Sequence, residues 1–239
     1  MGEKIMIASG KGGVGKSTVC LGLAAGLAAR GHKVLILEAD TGFRGLDISL
    51  SAEDRAMYDL ADVLEDRCEL DDALLRHSRL SIELLCAPND PEYLPEKEKL
   101  QALFQKVGES YDYILADCGA GFGPMQGRFC HCCGLAVIVT VPDKVSVRAA
   151  AHISSLLHQK GLHEQKLIIN RIPKTLAQSK TIRDLDDVID LVGVQLLGAV
   201  PEGMVTGIPT EQSSRQSAQE ELDRIALRLM GKHAELVLY

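Results

Sequence analysis

The sequence predicts an α/β fold: a mostly parallel β-sheet flanked by helices on both faces, as a single domain over residues 1–239. Three observations carry it. Short apolar runs of strand length alternate with stretches of helical periodicity along the whole chain, without repeats or a low-complexity linker. Several of these runs are apolar at every position, the pattern of strands buried on both faces, and they stop at an acid, an amide or a proline. The first run leads directly into a glycine-rich loop followed by a helix-forming segment.

Taken in order, Ile5–Ala8 reads as a buried strand, Gly10–Thr18 as the loop, and Cys20–Arg30 as a helix. Lys33–Leu37 is the second strand and ends in Glu38-Ala39-Asp40. Met57, Leu60, Ala61 and Leu64 fall at helical spacing, and Asp71–Leu75 reads as a short helix. Leu80–Cys86 is a strand that runs into a loop at Pro88 and Pro91, and Lys97–Val107 is a helix with Leu100, Leu103 and Phe104 on one face. Tyr113–Asp117 is a strand closed by an acid and followed by Gly119, Gly121 and Gly123. Leu135–Val141 is the next strand, and Ala149, Ile153, Leu156 and Leu157 form a helical stripe. Lys166–Ile169 is a strand ending at Asn170-Arg171; Ile182, Leu185, Ile189 and Val192 mark a helix. Leu196–Val200 is a strand ending at Pro201, and Leu222, Ile225, Ala226 and Leu229 mark the last helix.

The loop carries the chemistry. Gly10-Lys11-Gly12-Gly13-Val14-Gly15-Lys16-Ser17-Thr18 fits G-x-x-x-x-G-K-[ST] between a strand and a helix. Glycines let backbone N–H groups approach phosphate oxygens closely, and the helix start adds its dipole. Lys16 supplies a point charge for β- and γ-phosphates, and Ser17 a hard oxygen for Mg²⁺. In open α/β sheets ligands bind at the carboxyl ends of strands, so Glu38 and Asp40 fall on the nucleotide side.

Composition narrows the class. The net charge of −7 gives no general footprint for nucleic acid, and aromatics at 4% leave little for base stacking. The start, Met1-Gly2-Glu3-Lys4, is not a secretory signal, and no apolar run has the length of a membrane span. Met6 stands where a myristoylation pattern requires Ser or Thr. Seven scattered cysteines read as reduced thiols, which with the other features points to the cytoplasm, with a peripheral position at the inner face of the cell membrane as the alternative.

At these residues the chain resembles the MinD/ParA family of ATPases. Lys11-Gly-Gly-Val-Gly-Lys-Ser-Thr18 is similar to that family's deviant Walker A box. Asp40–Asp47, Tyr58–Val63, Asp117–Gly121, Val137–Pro142 and Val145–Arg148 are similar to further family segments, and the likeness covers about residues 3–202. The stretch around 40–63 favours the MinD branch. The resemblance implies ATP/ADP and Mg²⁺ as cofactors and an ATP-sandwiched homodimer. Lys11 would reach the partner subunit's phosphates, Asp40 would orient the attacking water, and Asp117 would hold Mg²⁺ with Ser17 and Asp40. Gly10, Gly12, Gly13, Val14, Gly15, Lys16 and Thr18 would cradle phosphate. Asn170 would read adenine, with Arg171, Pro201 and Glu202 beside the base. Glu38 stands where the family usually has Asp. The implied function is a spatial switch in division-site selection, with regulatory partners of the MinC or MinE type.

The chain departs from the family in two places. Its end, Met230 to Tyr239, is short and apolar and lacks the cationic face of a membrane-surface helix. Arg215, Arg224 and Arg228 near the last helix are offset by Glu220, Glu221 and Asp223, which reads as a packing helix rather than a DNA-binding strip. The run Cys130-His131-Cys132-Cys133, with Cys118 upstream, lies in an expected helix and strand approach; thiols and imidazole suit zinc or an iron–sulfur cluster, although the run lacks a C-x-x-C spacing. A metal-centre assembly ATPase and a partition ATPase of the ParA type are therefore the alternatives. Lys16→Ala is expected to abolish nucleotide binding, since hydrogen bonds to charged groups contribute about 1.5–3 kcal/mol each; titration with a fluorescent ATP analogue measures it.

Overall fold

A computed structural model describes residues 1–41, 45–46, 57–173, 185–202 and 216–236. Eight strands form one sheet in the order β3-β4-β2-β5-β1-β6-β7-β8. They are β1 (Glu3–Ala8), β2 (Val34–Ala39), β3 (Leu74–Arg76), β4 (Ile82–Leu85), β5 (Tyr113–Cys118), β6 (Leu135–Thr140), β7 (Gln165–Ile172) and β8 (Leu196–Pro201). Every pairing is parallel except β3 with β4. The central strands β2, β5 and β6 are buried at every residue, which is why their sequences show no alternation.

The described helices are α1 (Lys16–Ala28), α2 (Leu60–Leu64), α3 (Leu70–Ala73), α4 (Lys97–Ser110), α5 (Pro124–Cys130), α6 (Lys144–Gln159), α7 (Leu185–Val192) and α8 (Gln216–Leu229). One face of the sheet packs on α1 and α8, through Ile5, Ile7, Ile36, Leu115 and Val137 with Leu23, Leu27, Leu222 and Ile225. The other packs on α4 to α7, through Met6, Leu37, Ile114 and Ile138 with Phe104, Phe129, Ile153 and Val188. Helix α1 is apolar on nearly all sides because α8 covers the side that the sheet does not. Gly22 and Gly26 permit that cover: a Cβ at Gly22 would lie 2.3 Å from Leu222 Cδ1 and one at Gly26 would lie 3.0 Å from the Ala226 Cβ. In α8, buried Glu221 pairs with Arg224 at 2.8 Å and Arg228 at 3.1 Å, so those arginines are spent inside the fold. Arg228 also donates to the carbonyl of Leu197 on β8 at 2.9 Å. Arg215 lies outside the described residues.

Three expectations need correction. The segment expected as a helix over Asp71–Leu75 is split: the helix stops at Ala73, and Leu74–Arg76 turns into an antiparallel edge strand. Leu74 and Leu75 leave the helix to bury against β4, a tertiary gain that a four-residue helix cannot match. Met57 is not part of the α2 stripe but is 84% exposed. Asp59 starts that helix instead, accepting from Ala61 N at 2.8 Å while Asp62 accepts from Asp59 N at 3.0 Å, a reciprocal cap. Helix α5 ends at Cys130, so His131 to Cys133 form a turn rather than a helix. The helix expected around Ile182 is described only from Leu185.

Phe104 of α4 and Phe129 of α5 meet edge-on, their ring centroids 5.7 Å apart, and both are buried. Phe104→Ala is expected to cost about 3–5 kcal/mol, the range for a large aromatic removed from a packed core; chemical denaturation with unchanged m-value checks it.

Candidate nucleotide site

Strands β1, β2, β5 and β7 deliver the site residues at their carboxyl ends. The loop after β1 turns on two glycines in the left-handed region, Gly13 at φ 80° and Gly15 at φ 87°. A Cβ at Gly12 or Gly13 would meet no atom within 4 Å, so this part of the loop faces open space. On its inner side the loop is packed hard. A Cβ at Gly10 would lie 2.3 Å from the backbone of Ala149 in α6, and one at Gly15 would lie 2.3 Å from Asn170 Nδ2. Gly10 and Gly15 are thus glycines because neighbouring elements press on the loop. Gly15 also caps α1 at its start. Val14 is buried beneath the turn, while Ser17 and Thr18 open the helix on its half-buried side.

Lys16, 7% exposed, reaches across to Asp117, 1% exposed, at 2.6 Å from Oδ1. Its Nζ also lies 3.4 Å from Ser17 Oγ. Burial alone would lower the pKa of the ammonium, but Asp117 more than offsets it, and the Lys16 pKa is raised. The ammonium is therefore held charged. Asp117 stands in register with Ile7 of β1 on one side and Glu38 of β2 on the other. Asp40 follows β2, and its carboxylate lies over Gly119: a Cβ there would be 3.2 Å from Asp40 Oδ1. Lys16, Ser17 and Asp117 thus meet at the end of the loop, and Asp40 reaches Gly119, two residues beyond Asp117.

Ser17, Asp40 and Asp117 offer hard oxygens, the donor set that suits Mg²⁺. The open, left-handed glycine turn with a charged lysine behind it fits a polyphosphate. Both groups therefore fit the residues present.

Lys11 lies elsewhere on the loop. It is about half exposed, with its Nζ 4.0 Å from Asp143. Asp143 caps α6, accepting from the N–H groups of Val145 and Ser146 and from the Ser146 hydroxyl at 2.6 Å. Burial works to raise its carboxyl, but these donors and Lys11 hold it below the usual carboxylate range.

Asn170 is buried and supports the loop from below. Its Nδ2 donates to Val14 O at 2.8 Å, and its Oδ1 accepts from Arg171 N at 2.9 Å. Arg171 takes up a left-handed φ of 54° and is exposed. Ile172 stands opposite Pro201 in the sheet, and Glu202 N donates to Ile172 O at 2.8 Å. The pairs Asn170-Arg171 and Pro201-Glu202 therefore end adjacent strands side by side, on the same edge of the loop. Of the stretch 40–47, residues 42–44 and 47 lie outside the described residues.

Sequence reading missed three contributors. Asp143 was legible as a helix start, since it follows Pro142 and precedes Ser146 by three residues. Ser9 is buried; its hydroxyl donates to Lys11 O at 3.3 Å and its backbone carbonyl accepts from Gly121 N at 2.8 Å, tying the loop to the glycines after β5. Gln126 accepts from Gly123 N at 2.9 Å and closes the same segment. Gln126 was legible as the third residue of a helix opened by Gly123-Pro124, whereas no local pattern marks Ser9.

The cysteine run has a different character. Burial pushes the thiols of Cys118, Cys130 and Cys133 up, and that of Cys132 up to about 11, so all stay protonated. Among the described residues no group of three or more His, Cys, Asp or Glu side chains is arranged to hold a metal ion. Nor is any described helix long and apolar enough to cross a membrane.

Residues 5–206 match the family described as the CobQ/CobB/MinD/ParA nucleotide binding domain. The septum site-determining protein MinD of Synechocystis is 34% identical over 241 residues, covering 97% of this chain and 91% of that protein. MinD of Bacillus subtilis is 31% identical over 246 residues, covering 99% and 92%. Among solved structures, the chain superposes on a MinC:MinD cell division protein complex from Aquifex aeolicus with a TM-score of 0.87, at 31% identity and 99% coverage of both chains. The MinD complexed with Mg-ADP from Pyrococcus horikoshii gives a TM-score of 0.81 at 28% identity, covering 97% and 98%.

Asn170→Ala removes the prop under Val14 and the acceptor for Arg171 N. The variant is expected to lose about 1–3 kcal/mol of stability, the cost of leaving buried polar groups unpaired, and to bind ATP more weakly; a melting curve and a nucleotide titration check the two effects.

Proposed function

Because the chain belongs to the CobQ/CobB/MinD/ParA nucleotide-binding family, we propose that it works as a MinD-like ATPase in septum-site determination, binding Mg²⁺ with ATP or ADP. The observation that carries the reading is the buried Lys16–Asp117 pair behind a left-handed glycine loop, with Asp40 beside it. The ATPase class and the nucleotide cofactor agree with the family match and with a MinD relative solved with Mg-ADP.

The residues divide the work. The N–H groups from Gly10 to Thr18 and the Lys16 ammonium bind and orient the phosphates. Ser17, Asp40 and Asp117 would hold Mg²⁺, which when bound would neutralise charge developing on the transferred phosphoryl group. Asp117, which holds the Lys16 ammonium at 2.6 Å, would then share its carboxylate, leaving Lys16 to face phosphate. Asp40 orients the attacking water. Asn170 keeps one N–H and one lone pair beyond its bonds to Val14 and Arg171, enough for one edge of adenine. Arg171, Pro201 and Glu202 flank the base.

Lys11 makes the site one half of a pair. Its side chain is about half exposed and, among the described residues, its ammonium meets a carboxylate only at 4.0 Å, the distant, screened contact to Asp143. Presented across a homodimer, it would add positive charge to the partner's phosphates, as an arginine finger does. ATP, bridging two subunits, would favour the dimer, and its hydrolysis would release them. A MinC-type or MinE-type regulator is the expected protein partner, since a relative of the same fold is solved in complex with MinC. Pelleting with anionic liposomes, with and without ATP, tests peripheral membrane association directly.

The metal-centre alternative draws no support from the cysteine run, since among the described residues no three His, Cys, Asp or Glu side chains are arranged to hold a metal ion, and the partition alternative draws none from an acidic chain whose α8 arginines are paired with Glu221. Specific ATPase activity is expected to rise with protein concentration. Lys11→Ala should leave ATP affinity within about twofold yet lower turnover by about 10³-fold or more, the scale of a missing finger. A turnover per subunit that stays constant across a wide dilution series would sink the dimer mechanism.

A further inference from the structure

Glu38 sits beside Asp117 in the sheet but is turned to a different task. It is 2% exposed, and its register partner across β2 and β5 is Asp117 itself. Its carboxylate is engaged by backbone. Oε1 accepts from Gly45 N at 3.4 Å, Oε2 accepts from Ala87 N at 3.3 Å, and Leu46 N contributes a further hydrogen bond. Ala87 follows β4, and Gly45 and Leu46 follow Asp40 in the chain. Leu46 is itself buried among the residues packed on α1. One carboxylate thus joins the exit of β4 to the far side of the segment that begins at Asp40.

Burial raises the Glu38 carboxyl, with the neighbouring Asp117 charge acting in the same sense, while the three N–H groups oppose both. A buried acid without such donors would be costly. Described residues on both sides of Asp40 are therefore held: Ala39, where the strand ends, and Gly45-Leu46. Asp40 lies between them, with its carboxylate over Gly119.

We propose that Glu38 is a positioning residue for hydrolysis: by holding the Gly45, Leu46 and Ala87 amides it fixes the segment that aims Asp40 at the reacting phosphate. The proposal rests on the ATPase reading above. It separates Glu38 from the groups that bind nucleotide, although Glu38 lies one strand from Asp117.

The test uses the full chain and three measurements: ATP affinity, turnover at saturating ATP, and amide hydrogen exchange at 45, 46 and 87. Glu38→Gln sets a carboxamide N–H against backbone donors that now face an oxygen. Turnover is expected to fall at least about tenfold with ATP affinity within about twofold, since a small misplacement of a catalytic group costs up to 10²-fold. Exchange at the three amides is expected to quicken. Glu38→Asp keeps the charge but is one methylene short; it is expected to give an intermediate loss, and it carries the test should the Gln variant not fold. Parental turnover in either folded variant overturns the proposal, as does a loss of ATP affinity that matches the loss of turnover. If the parent protein itself turns over no ATP, the ATPase reading fails with it, and that outcome is recognised without any Glu38 variant.

Discussion

The ion pair between Lys16 and Asp117 is the contact on which the site depends. Two charges are kept out of water at 2.6 Å, and each would be expensive without the other. Lys16 belongs to the first turn of α1 and Asp117 is the penultimate residue of the central strand β5, so the pair bolts the phosphate loop to the middle of the sheet. The rest follows from that anchorage. β1 and β2 flank β5, so the carboxyl ends of three neighbouring strands open onto one place. The loop can then be thin, with glycines on its solvent side, because Ala149 and Asn170 brace it from behind.

A second constraint is that the site is assembled from groups already satisfied. Among the described residues no buried side-chain nitrogen or oxygen lacks a partner. Asn170 is committed to Val14 and Arg171, Glu38 to backbone amides, and Asp143 to the start of α6. Lys11 and the open face of the loop are left to meet something from outside. That division separates a rigid frame from a small reactive rim.

The fold and the loop were legible because they are written locally. All-apolar runs and a fixed glycine spacing leave few other readings, and the acids at the ends of β2 and β5 lie next to those runs in the sequence. What was not legible depends on distant partners. Leu74 and Leu75 look helical until β4 offers them an edge. Met57 fits the helical spacing, yet the Asp59 cap sets the boundary. Ser9 has no signature, since it works through its hydroxyl on Lys11 O and its backbone carbonyl on Gly121 N. Asn170 was read for its amide chemistry; its burial under Val14 could not be seen without the crossing of β7 past the loop. Glu38 was read as a departure from a pattern, and its hydrogen bonds give it a place of its own.

The antiparallel strand β3 bears on the behaviour of the protein in a crowded cell. A parallel sheet of this width ends in a row of unpaired amides, an invitation for another chain to add a strand. Here that border is only three residues long, and its last residue, Arg76, is exposed and bound to Glu83 at 2.8 Å. A strand so short and charged is a poor template for intermolecular pairing. Of the sheet's two margins, the one at β3 is thus closed to strand addition by its own shortness and charge.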